Sequence, residues 1–244
     1  DSSGAVESMS ADAPVPRNSR RKAPWGQLMI QNATRMGLHL SSHQIESFSF
    51  DADELVKWSH KINLTAIKDP SAIVVKHFLD SLAATDLVAD SDRLLDIGTG
   101  AGFPGVPLKL MRPSLAVTVI DGSRKKINFV SHLIRSLELD GIRAVQMRSE
   151  DLARLGAHRG AYEVVTSRAL SALDGFVRQA IAFVKPGGRI LAWKGERADA
   201  EIGMFLAKTG TIGGIGRERL ELEKIDYHLP GLGEKRCLVR IKIH

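Results

Sequence analysis

Cysteine is nearly missing from this 244-residue sequence, which contains Cys237 alone. A single thiol excludes a disulfide within the chain, a cysteine-rich zinc site and any chemistry that needs two thiols. No apolar run approaches the roughly 18 to 20 residues of a membrane span. The first residues also lack the apolar core of a secretory signal. We therefore expect a soluble, cytoplasmic protein without membrane association.

Aromatic residues are also few, at 5% of the chain, so a stacking platform for bases is not expected. Hydrophobic residues make up 43%, which is typical of a globular protein. The 34 Lys and Arg residues against 28 Asp and Glu give a net charge of +6. This balance is compatible with a polyanionic partner such as RNA but does not establish one. Six basic and two acidic side chains between residues 123 and 148 favour contacts with phosphates.

Changes in composition divide the chain into three parts. Residues 1–24 are rich in Ser, Ala and Pro, lack apolar periodicity and are predicted to form a disordered basic tail. Residues 25–85 contain three helical patterns and predict a helical layer packed on the main domain. Residues 86–244 alternate short strands with helices, which is typical of a parallel sheet with crossover helices.

Local signals place helices and strands within these parts. Ser41 and Gln44 have the spacing of a capping box, and Asp69-Pro70 is typical of a helix start. Asp174 is expected to cap a later helix that Pro186-Gly187-Gly188 ends. Strands are predicted at Arg93–Ile97, Ala116–Asp121, Ile142–Met147, Tyr162–Thr166 and Arg189–Trp193, followed by a hairpin of Leu220–His228 and Cys237–Ile243. This order predicts an α/β, Rossmann-like fold with a seven-stranded, mostly parallel sheet and helices on both faces.

The most informative segment follows the first predicted strand and is called the glycine loop. It begins with Gly98-Thr-Gly100-Ala-Gly102 and runs on to Gly105. Glycines let the backbone turn sharply and approach a ligand, and open α/β sheets bind ligands at the carboxyl ends of their strands. Two cofactor classes fit this position. Gly100, Gly102 and Gly105 match the dinucleotide pattern G-x-G-x-x-G, with Asp121 about 20 residues further on. The other class is S-adenosylmethionine, whose cationic amino-acid part favours a nearby carboxylate such as Asp96.

Four landmarks in order favour S-adenosylmethionine. The run Leu94-Leu-Asp-Ile-Gly-Thr-Gly-Ala-Gly102 resembles the first motif of class I methyltransferases. Asp121 offers two oxygens to the two ribose hydroxyls. Glu150 follows the third strand, where this fold places an acid near the adenine, and the Val184–Gly188 turn precedes the fifth strand. The alternatives are that Asp96 only holds loop amides and that Glu150 caps a helix.

Residues and motifs that the chain lacks reduce the number of possible methyl acceptors. Methylation of cytosine C5 needs a cysteine nucleophile, and Cys237 is far in sequence from the glycine loop. Enzymes that methylate amino groups usually carry Asn/Asp-Pro-Pro-Tyr/Phe after the fourth strand, where this chain has Thr166-Ser-Arg-Ala169. Guanine N7 has a free lone pair and needs no base. Arg168 and Lys194, which follow the fourth and fifth strands, are expected to orient a guanine through its O6, and the alternative is that they are solvent-exposed charges at strand ends.

Motifs outside the glycine loop indicate a family. Over residues 45–244 the chain resembles the glucose-inhibited division protein B family (GidB/RsmG) of small-subunit rRNA methyltransferases. The matching segments are Trp58–Thr65, Asp69-Pro70, Lys76–Ser81, Asp96–Gly105, Ser123–Lys126, Arg148–Glu150, Ser167–Ala169 and Lys194-Gly195. The K-H-F-L-D-S and S-R-A elements are more specific than the glycines. Ser59 departs from the asparagine that the family more often has.

The resemblance implies an S-adenosylmethionine-dependent enzyme that methylates N7 of a guanine in 16S rRNA and releases S-adenosylhomocysteine. Transfer would be direct and in line, without a covalent intermediate or a metal. We further expect the rRNA to be recognised within the small ribosomal subunit or an assembly intermediate, and the protein to act as a monomer. The open alternatives are a methyltransferase for another RNA, a protein or a small molecule, and a noncatalytic S-adenosylmethionine-sensing RNA-binding protein.

The expected site residues form three groups, and no metal site is expected. The catalytic group is Arg168, Lys194 and His77; His77 is alternatively a core residue, since it shares a helical face with Ile73. The cofactor-binding group is Asp96, Gly98, Thr99, Gly100, Gly102, Phe103, Asp121, Ser149, Glu150 and Arg168. The RNA-binding group, to which the resemblance adds Asp80 as a residue of the same cleft, is Asn63, Lys126, Arg148 and Lys194.

Overall fold

Two long helices, α1 (Pro24–Arg35) and α2 (Ser42–Ser59), come first in the part of the chain that the structure describes. The computed structural model describes residues 24–168, 172–233 and 235–244, so the predicted basic tail before Pro24 lies outside it, as does Ala169 of the S-R-A element. Ser41 caps α2, because its hydroxyl accepts from the Gln44 amide at 3.2 Å while its own amide donates to the Gln44 side chain at 2.9 Å. The predicted capping box is confirmed.

The third helical segment contains a widened turn. Its first part, α3 (Pro70–Ile73), starts at Asp69, whose carboxylate accepts from the Ala72 amide at 2.8 Å. The helix continues through the π-helical turn Val74–Leu79 and ends as α4 (Asp80–Leu82). Such π-helical turns are often found at functional sites, because the altered hydrogen-bond register changes where side chains and carbonyls point.

A seven-stranded sheet follows. Its strands are β1 (Arg93–Ile97), β2 (Ala116–Asp121), β3 (Ile142–Gln146), β4 (Tyr162–Ser167), β5 (Val184–Lys194), β8 (Leu220–Tyr227) and β9 (Arg236–Ile243). Their order across the sheet is β3-β2-β1-β4-β5-β9-β8. The first five are parallel, and β9 runs antiparallel to both β5 and β8. A separate two-stranded hairpin, which the sequence did not predict, joins β6 (Thr211–Ile212) to β7 (Ile215–Gly216). The predicted sheet is confirmed.

Helices cover both faces of the sheet, since neighbouring strand residues belong to different hydrophobic clusters. Leu94 packs with the N-terminal helices, and Leu95 packs on the opposite face, as the alternation of a strand requires. The α-helices after β1 are α5 (Gly105–Met111), α6 (Arg124–Ser136), α7 (Ser149–Leu152), α8 (Leu173–Ala180) and α9 (Ala198–Leu206). Helices α1 and α2 share one core with α5 and α6, so this core crosses the predicted boundary at residue 85. None of the described helices is long and apolar enough to cross a membrane.

Two predictions about α8 are wrong. Ala172, rather than Asp174, occupies the cap position, and the Asp174 carboxylate instead binds Arg178, Lys208 and Arg217. The helix also ends at Ala180, before the Pro-Gly-Gly sequence, which lies inside β5. Val184 pairs with Tyr162 of β4, so the strand begins before the predicted turn. Charge attraction and strand pairing thus override the local helix signals.

Candidate active site

The carboxyl ends of four neighbouring parallel strands bring the predicted polar residues to one edge of the sheet. Asp96 lies near the end of β1, Asp121 ends β2, Arg168 follows β4 and Lys194 ends β5. These positions are far apart in sequence, and the parallel register places them together. This edge is where open α/β sheets bind their ligands.

The glycine loop leaves open space where a ligand can approach. Gly100 has a φ of +61°, and a Cβ atom added to it would meet no described heavy atom within 4 Å. Gly105 has the opposite surroundings, since a Cβ there would lie 2.5 Å from Val119 and 3.1 Å from the Asp96 carboxylate. Gly100 therefore keeps one side of the loop open, whereas Gly105 allows α5 to pack tightly on the sheet.

The buried Asp96 carboxylate holds this loop with one oxygen. Its Oδ2 accepts from the Thr99 hydroxyl at 2.6 Å and from the Gly105 amide at 3.1 Å. Its Oδ1 is buried and has no hydrogen-bond partner among the described residues. Burial raises the pKa of Asp96 to about 7, although the bonds from Thr99 and Gly105 oppose the rise. Asp96 thus binds loop donors and also offers a second oxygen for a donor.

Asp121 joins the start of the loop to the segment after β2. Its Oδ2 accepts from the Gly100 amide at 3.1 Å, and its Oδ1 accepts from the Ser123 amide at 2.8 Å. The Lys126 ammonium lies 3.9 Å from Oδ2. Each carboxylate oxygen can accept more than one hydrogen bond. Asp121 is therefore oriented by the backbone and still offers acceptor positions at the rim.

The segment after β3 lies beside the same rim. Arg148 is exposed and occupies the cap position of α7, where a Cβ at Gly122 would lie 3.6 Å from its Cγ. Ser149 is buried and donates a hydrogen bond to Gln179 at 3.3 Å. Glu150 is exposed in the first turn of α7 and does not cap the helix. Ser149 therefore faces inward, whereas Arg148 and Glu150 face outward.

Arg168 is held against the π-helical turn. One guanidinium nitrogen donates to the carbonyl oxygens of Lys76 and His77 at 2.8 and 3.0 Å and lies 3.3 Å from the Asp80 carboxylate. The guanidinium carbon also lies 5.0 Å from the centre of the Phe103 ring, in the glycine loop. Arg168 thus connects the end of β4 to the N-terminal helical layer and to the loop.

His77 connects three of these parts. Its Nδ1 accepts from Arg168 at 2.9 Å, so Nε2 carries the proton and donates to the Thr65 hydroxyl at 2.7 Å. The imidazole stacks on Phe103 with ring centres 4.9 Å apart. Burial and the Arg168 charge lower the pKa of His77 to about 3, so the ring is neutral at physiological pH. These contacts fit a positioning role for His77.

Asp80, buried beneath Arg168, has partners that sequence reasoning did not find. Its carboxylate accepts from the Tyr227 hydroxyl at 2.5 Å, and its carbonyl oxygen accepts from the Trp193 indole at 2.6 Å. Burial and the Asp80 charge raise the pKa of the Tyr227 phenol, which therefore keeps its proton. Asp80 and Tyr227 are 147 residues apart in sequence, and no motif connects them.

Lys194 lines a cavity of about 420 Å³ together with Arg168. The other described residues of its wall are Trp193, Gly195, Glu196, Arg197, Glu201 and Arg236. The Lys194 ammonium lies 2.7 Å from the carboxylate of Glu201, in the first turn of α9. Sequence reasoning missed Glu201, because acidic residues in first helical turns are common.

The structure also bears on three further expectations from the sequence, which concern Asn63, Cys237 and a metal site. Asn63 is exposed in the loop between α2 and α3, two residues before Thr65. Cys237 lies directly opposite Lys194 in the β5–β9 pair, so its distance in sequence is not a distance in space. It is buried, and burial raises the pKa of its thiol. The described ranges contain no group of three His, Cys, Asp or Glu residues that could hold a metal ion.

The family follows from comparison with known proteins. Residues 44–214 match the GidB family, described as rRNA small subunit methyltransferase G. This chain belongs to the GidB family. A ribosomal RNA small subunit methyltransferase G from Geotalea uraniireducens is 41% identical over 214 residues, which cover 87% of this chain and 94% of the relative. Another from Desulfitobacterium hafniense is 40% identical over 208 residues, which cover 85% of this chain and 84% of the relative.

Solved structures agree on the fold. A SAM dependent methyltransferase from Aquifex aeolicus matches with a TM-score of 0.55 and 15% identity, covering 75% of this chain and 97% of that one. TYW2 from M. jannaschii, solved in complex with AdoMet, matches with a TM-score of 0.51 and 13% identity. The match covers 69% of this chain and 75% of that one. GidB membership together with this fold confirms the predicted class I architecture, S-adenosylmethionine as cofactor and the activity of a small-subunit rRNA methyltransferase.

The carboxyl edge fits S-adenosylmethionine in three respects. Asp96 has a buried oxygen that lacks a partner among the described residues, as an acceptor for an amino group requires. The space over Gly100 is open to a close approach. Asp121 presents a carboxylate at the rim, where two hydroxyls of a ribose can donate to it. Thr99 and Gly105 hold Asp96 in place from the protein side.

Proposed function

We propose that this GidB-family protein transfers the methyl group of S-adenosylmethionine to N7 of a guanine in 16S rRNA. One observation carries the choice of acceptor: Arg168 and Lys194 line the same cavity at the carboxyl edge, and Arg168 also contacts Phe103 of the glycine loop. Guanine O6 is an acceptor beside N7, so cations that donate to O6 can present the N7 lone pair.

The protein's own residues would mainly position the two reactants. Bound S-adenosylmethionine supplies an electrophilic methyl group on a sulfonium. Asp96 would accept from the amino group of the cofactor, and Asp121 would accept from its ribose hydroxyls. Arg168 and Lys194 donate to the guanine, and His77 holds Arg168. Since N7 needs no deprotonation, holding the reacting atoms in line supplies the rate enhancement.

A thiol route to a carbon acceptor is less favourable here. Cys237 lies beside Lys194 in the sheet, but its side chain is buried and lines a different cavity from Arg168 and Lys194. The thiolate is the nucleophilic form, and the raised pKa of Cys237 keeps the thiol protonated. These properties support a guanine nitrogen over a cytosine carbon.

We further propose that a monomer acts on the assembled small subunit or an assembly intermediate, in the cytoplasm. Asn63, Lys126 and Arg148 would contact the RNA on one side of the cleft. With 5% aromatic residues the chain has few side chains for stacking, so shape and phosphates remain as the features to recognise.

The test uses labelled S-adenosylmethionine and small subunits that lack the modification, followed by digestion of the RNA to nucleosides. We expect labelled 7-methylguanosine. Label in another nucleoside or in ribosomal protein would overturn the choice of acceptor. Protein-free 16S rRNA serves as the second substrate, and equally fast methylation of it would show that the assembled particle is not required.

A further inference from the structure

A single oxygen of Glu201 connects three elements at the wall of the cavity. Its Oε2 lies 2.7 Å from the Lys194 ammonium, at the end of β5. The same atom accepts a 2.8 Å hydrogen bond from the amide of Leu173, the first residue of α8. Glu201 itself belongs to α9. One carboxylate therefore fixes β5, α8 and α9 relative to one another.

The pair is largely shielded from water. The Lys194 side chain is 10% exposed and the Glu201 side chain 17%. Partial burial raises the pKa of Glu201, but the hydrogen bonds from Lys194 and Leu173 outweigh this effect, and the pKa lies below its usual value. Glu201 is thus an anion at neutral pH. An ion pair in such surroundings is screened less than one on the open surface.

Lysine needs such a partner to act as a directed donor. Its ammonium sits on a flexible four-carbon stem, and ordering this stem costs conformational entropy. The contact with Glu201 therefore gives the ammonium a fixed direction at the cavity wall. Since Glu201 is anchored by the Leu173 amide, it provides a fixed point for the ammonium.

We propose that Glu201 is a positioning residue for methyl transfer, which holds the Lys194 ammonium at the cavity wall through their direct contact. Glu201 acts through Lys194 and does not itself donate to the guanine. This inference depends on the proposed function, in which Lys194 contacts the guanine. The Glu201–Lys194 contact stabilises the arrangement in which the reacting atoms are aligned. Its loss should therefore lower kcat more than it weakens substrate binding.

The variants Glu201→Gln, Lys194→Ala and their combination test this role on unmodified small subunits. We expect Glu201→Gln to lower kcat by about tenfold, the effect of losing an interaction worth about 1.4 kcal/mol, with KM and the Kd for S-adenosylmethionine within about twofold of wild type. The double variant is expected to be no slower than Lys194→Ala, because both changes remove the same interaction. The proposal would be overturned if the kcat loss of the double variant were the product of the two single losses. A wild-type kcat in Glu201→Gln would overturn it as well.

The sheet offers a matched control at its other edge. Glu163 in β4 lies 2.5 Å from the Lys185 ammonium and accepts from the Arg93 amide at 2.8 Å, so it also joins a lysine and a backbone amide. Glu163→Gln should also lower Tm and leave kcat unchanged. A kcat loss of equal size in both variants would assign the Glu201 effect to stability. Full activity of Lys194→Ala would instead contradict the proposed function, independently of Glu201.

Discussion

Arg168 and His77 form a 2.9 Å hydrogen bond between the end of β4 and the π-helical turn, with His77 Nδ1 as the acceptor. The bond requires a neutral imidazole, because a protonated ring has no acceptor to offer. Arg168 therefore keeps this contact with the N-terminal helical layer only while His77 remains deprotonated. Phe103 packs on both residues and extends the relationship to the glycine loop.

The first prediction concerns folding stability and pH. Because the pKa of His77 is lowered to about 3 in the folded protein, the unfolded state binds more protons between about pH 6.5 and pH 3. This contribution to stability is complete above pH 6.5 and is lost as pH falls. We expect wild type to lose about 1.4 kcal/mol more unfolding free energy than His77→Asn between pH 7.5 and 5.5. Denaturant titrations at both pH values measure this difference. If wild type and His77→Asn lost the same unfolding free energy, His77 would be protonated in the folded protein as it is in the unfolded one.

The second prediction concerns Asp96 and cofactor affinity. Burial raises the pKa of Asp96 to about 7, so the carboxylate that favours a cationic ligand is partly protonated in the free protein. Binding should therefore weaken as pH falls, with the Kd for S-adenosylmethionine rising about tenfold between pH 8 and pH 6. Asp96→Asn should bind more weakly at pH 8 and show a flat profile. Calorimetric titration measures both, and a flat wild-type profile would contradict the role of Asp96.

The third prediction concerns Tyr227, which reaches Arg168 through Asp80. Tyr227→Phe leaves one Asp80 oxygen without its donor, and we expect a loss of about 1 to 3 kcal/mol in unfolding free energy. It should also lower kcat, because Asp80 helps to hold Arg168. The matched control is Tyr162→Phe, since the Tyr162 hydroxyl lies 2.6 Å from His158 Nδ1. Tyr162→Phe should lower stability alone, and an unchanged kcat in Tyr227→Phe would exclude the link to Arg168.

The parts of the site that are predictable from sequence are those that follow a strand. Four residues lie at or next to the carboxyl end of a strand, where the rules of parallel sheets bring them to one edge: Asp96, Asp121, Arg168 and Lys194. Tyr227 and Glu201 carry no such signal. Their partners, Asp80 and Lys194, are chosen by the packing of hairpin β8–β9 and of α9 against the sheet. Pairings of this kind depend on three-dimensional placement, which spacing alone does not specify.

The Asp174 cap failed as a prediction for the same reason. An acid before a helical pattern is a common cap, but the three cations that bind Asp174 include Lys208 and Arg217, which are more than thirty residues away. In contrast, the Ser41 capping box was predictable because both partners lie within one turn. Local hydrogen bonds are thus read from sequence more safely than ion pairs.

The fourth prediction concerns salt dependence of RNA binding. Lys126 and Arg148 are proposed to contact phosphates, and each contact removed should reduce the slope of log K against log salt by about 1. Lys126→Ala and Arg148→Ala therefore should weaken binding to the small subunit most at low salt. Lys242→Ala is the control, because Lys242 pairs with Glu221 at the opposite edge of the sheet. Equal slopes in all three variants and wild type would remove Lys126 and Arg148 from the interface.

The fifth prediction concerns Asp51, a fully buried residue of α2 whose carboxylate oxygens have no hydrogen-bond partner among the described residues. Burial raises the pKa of Asp51 well above its usual value, so the folded protein binds a proton that the unfolded chain releases as pH rises. This residue therefore lowers stability increasingly from about pH 4 upward, opposite in sign to His77. Asp51→Asn removes the titration, and we expect its unfolding free energy to exceed that of wild type by at least about 1 kcal/mol at pH 8 and by less at pH 5. Asp53→Asn on the same helix is the control: Asp53 accepts from the Trp25 indole at 2.7 Å, so this change should not raise stability. A constant difference between Asp51→Asn and wild type across this pH range would mean that Asp51 is ionised in the fold.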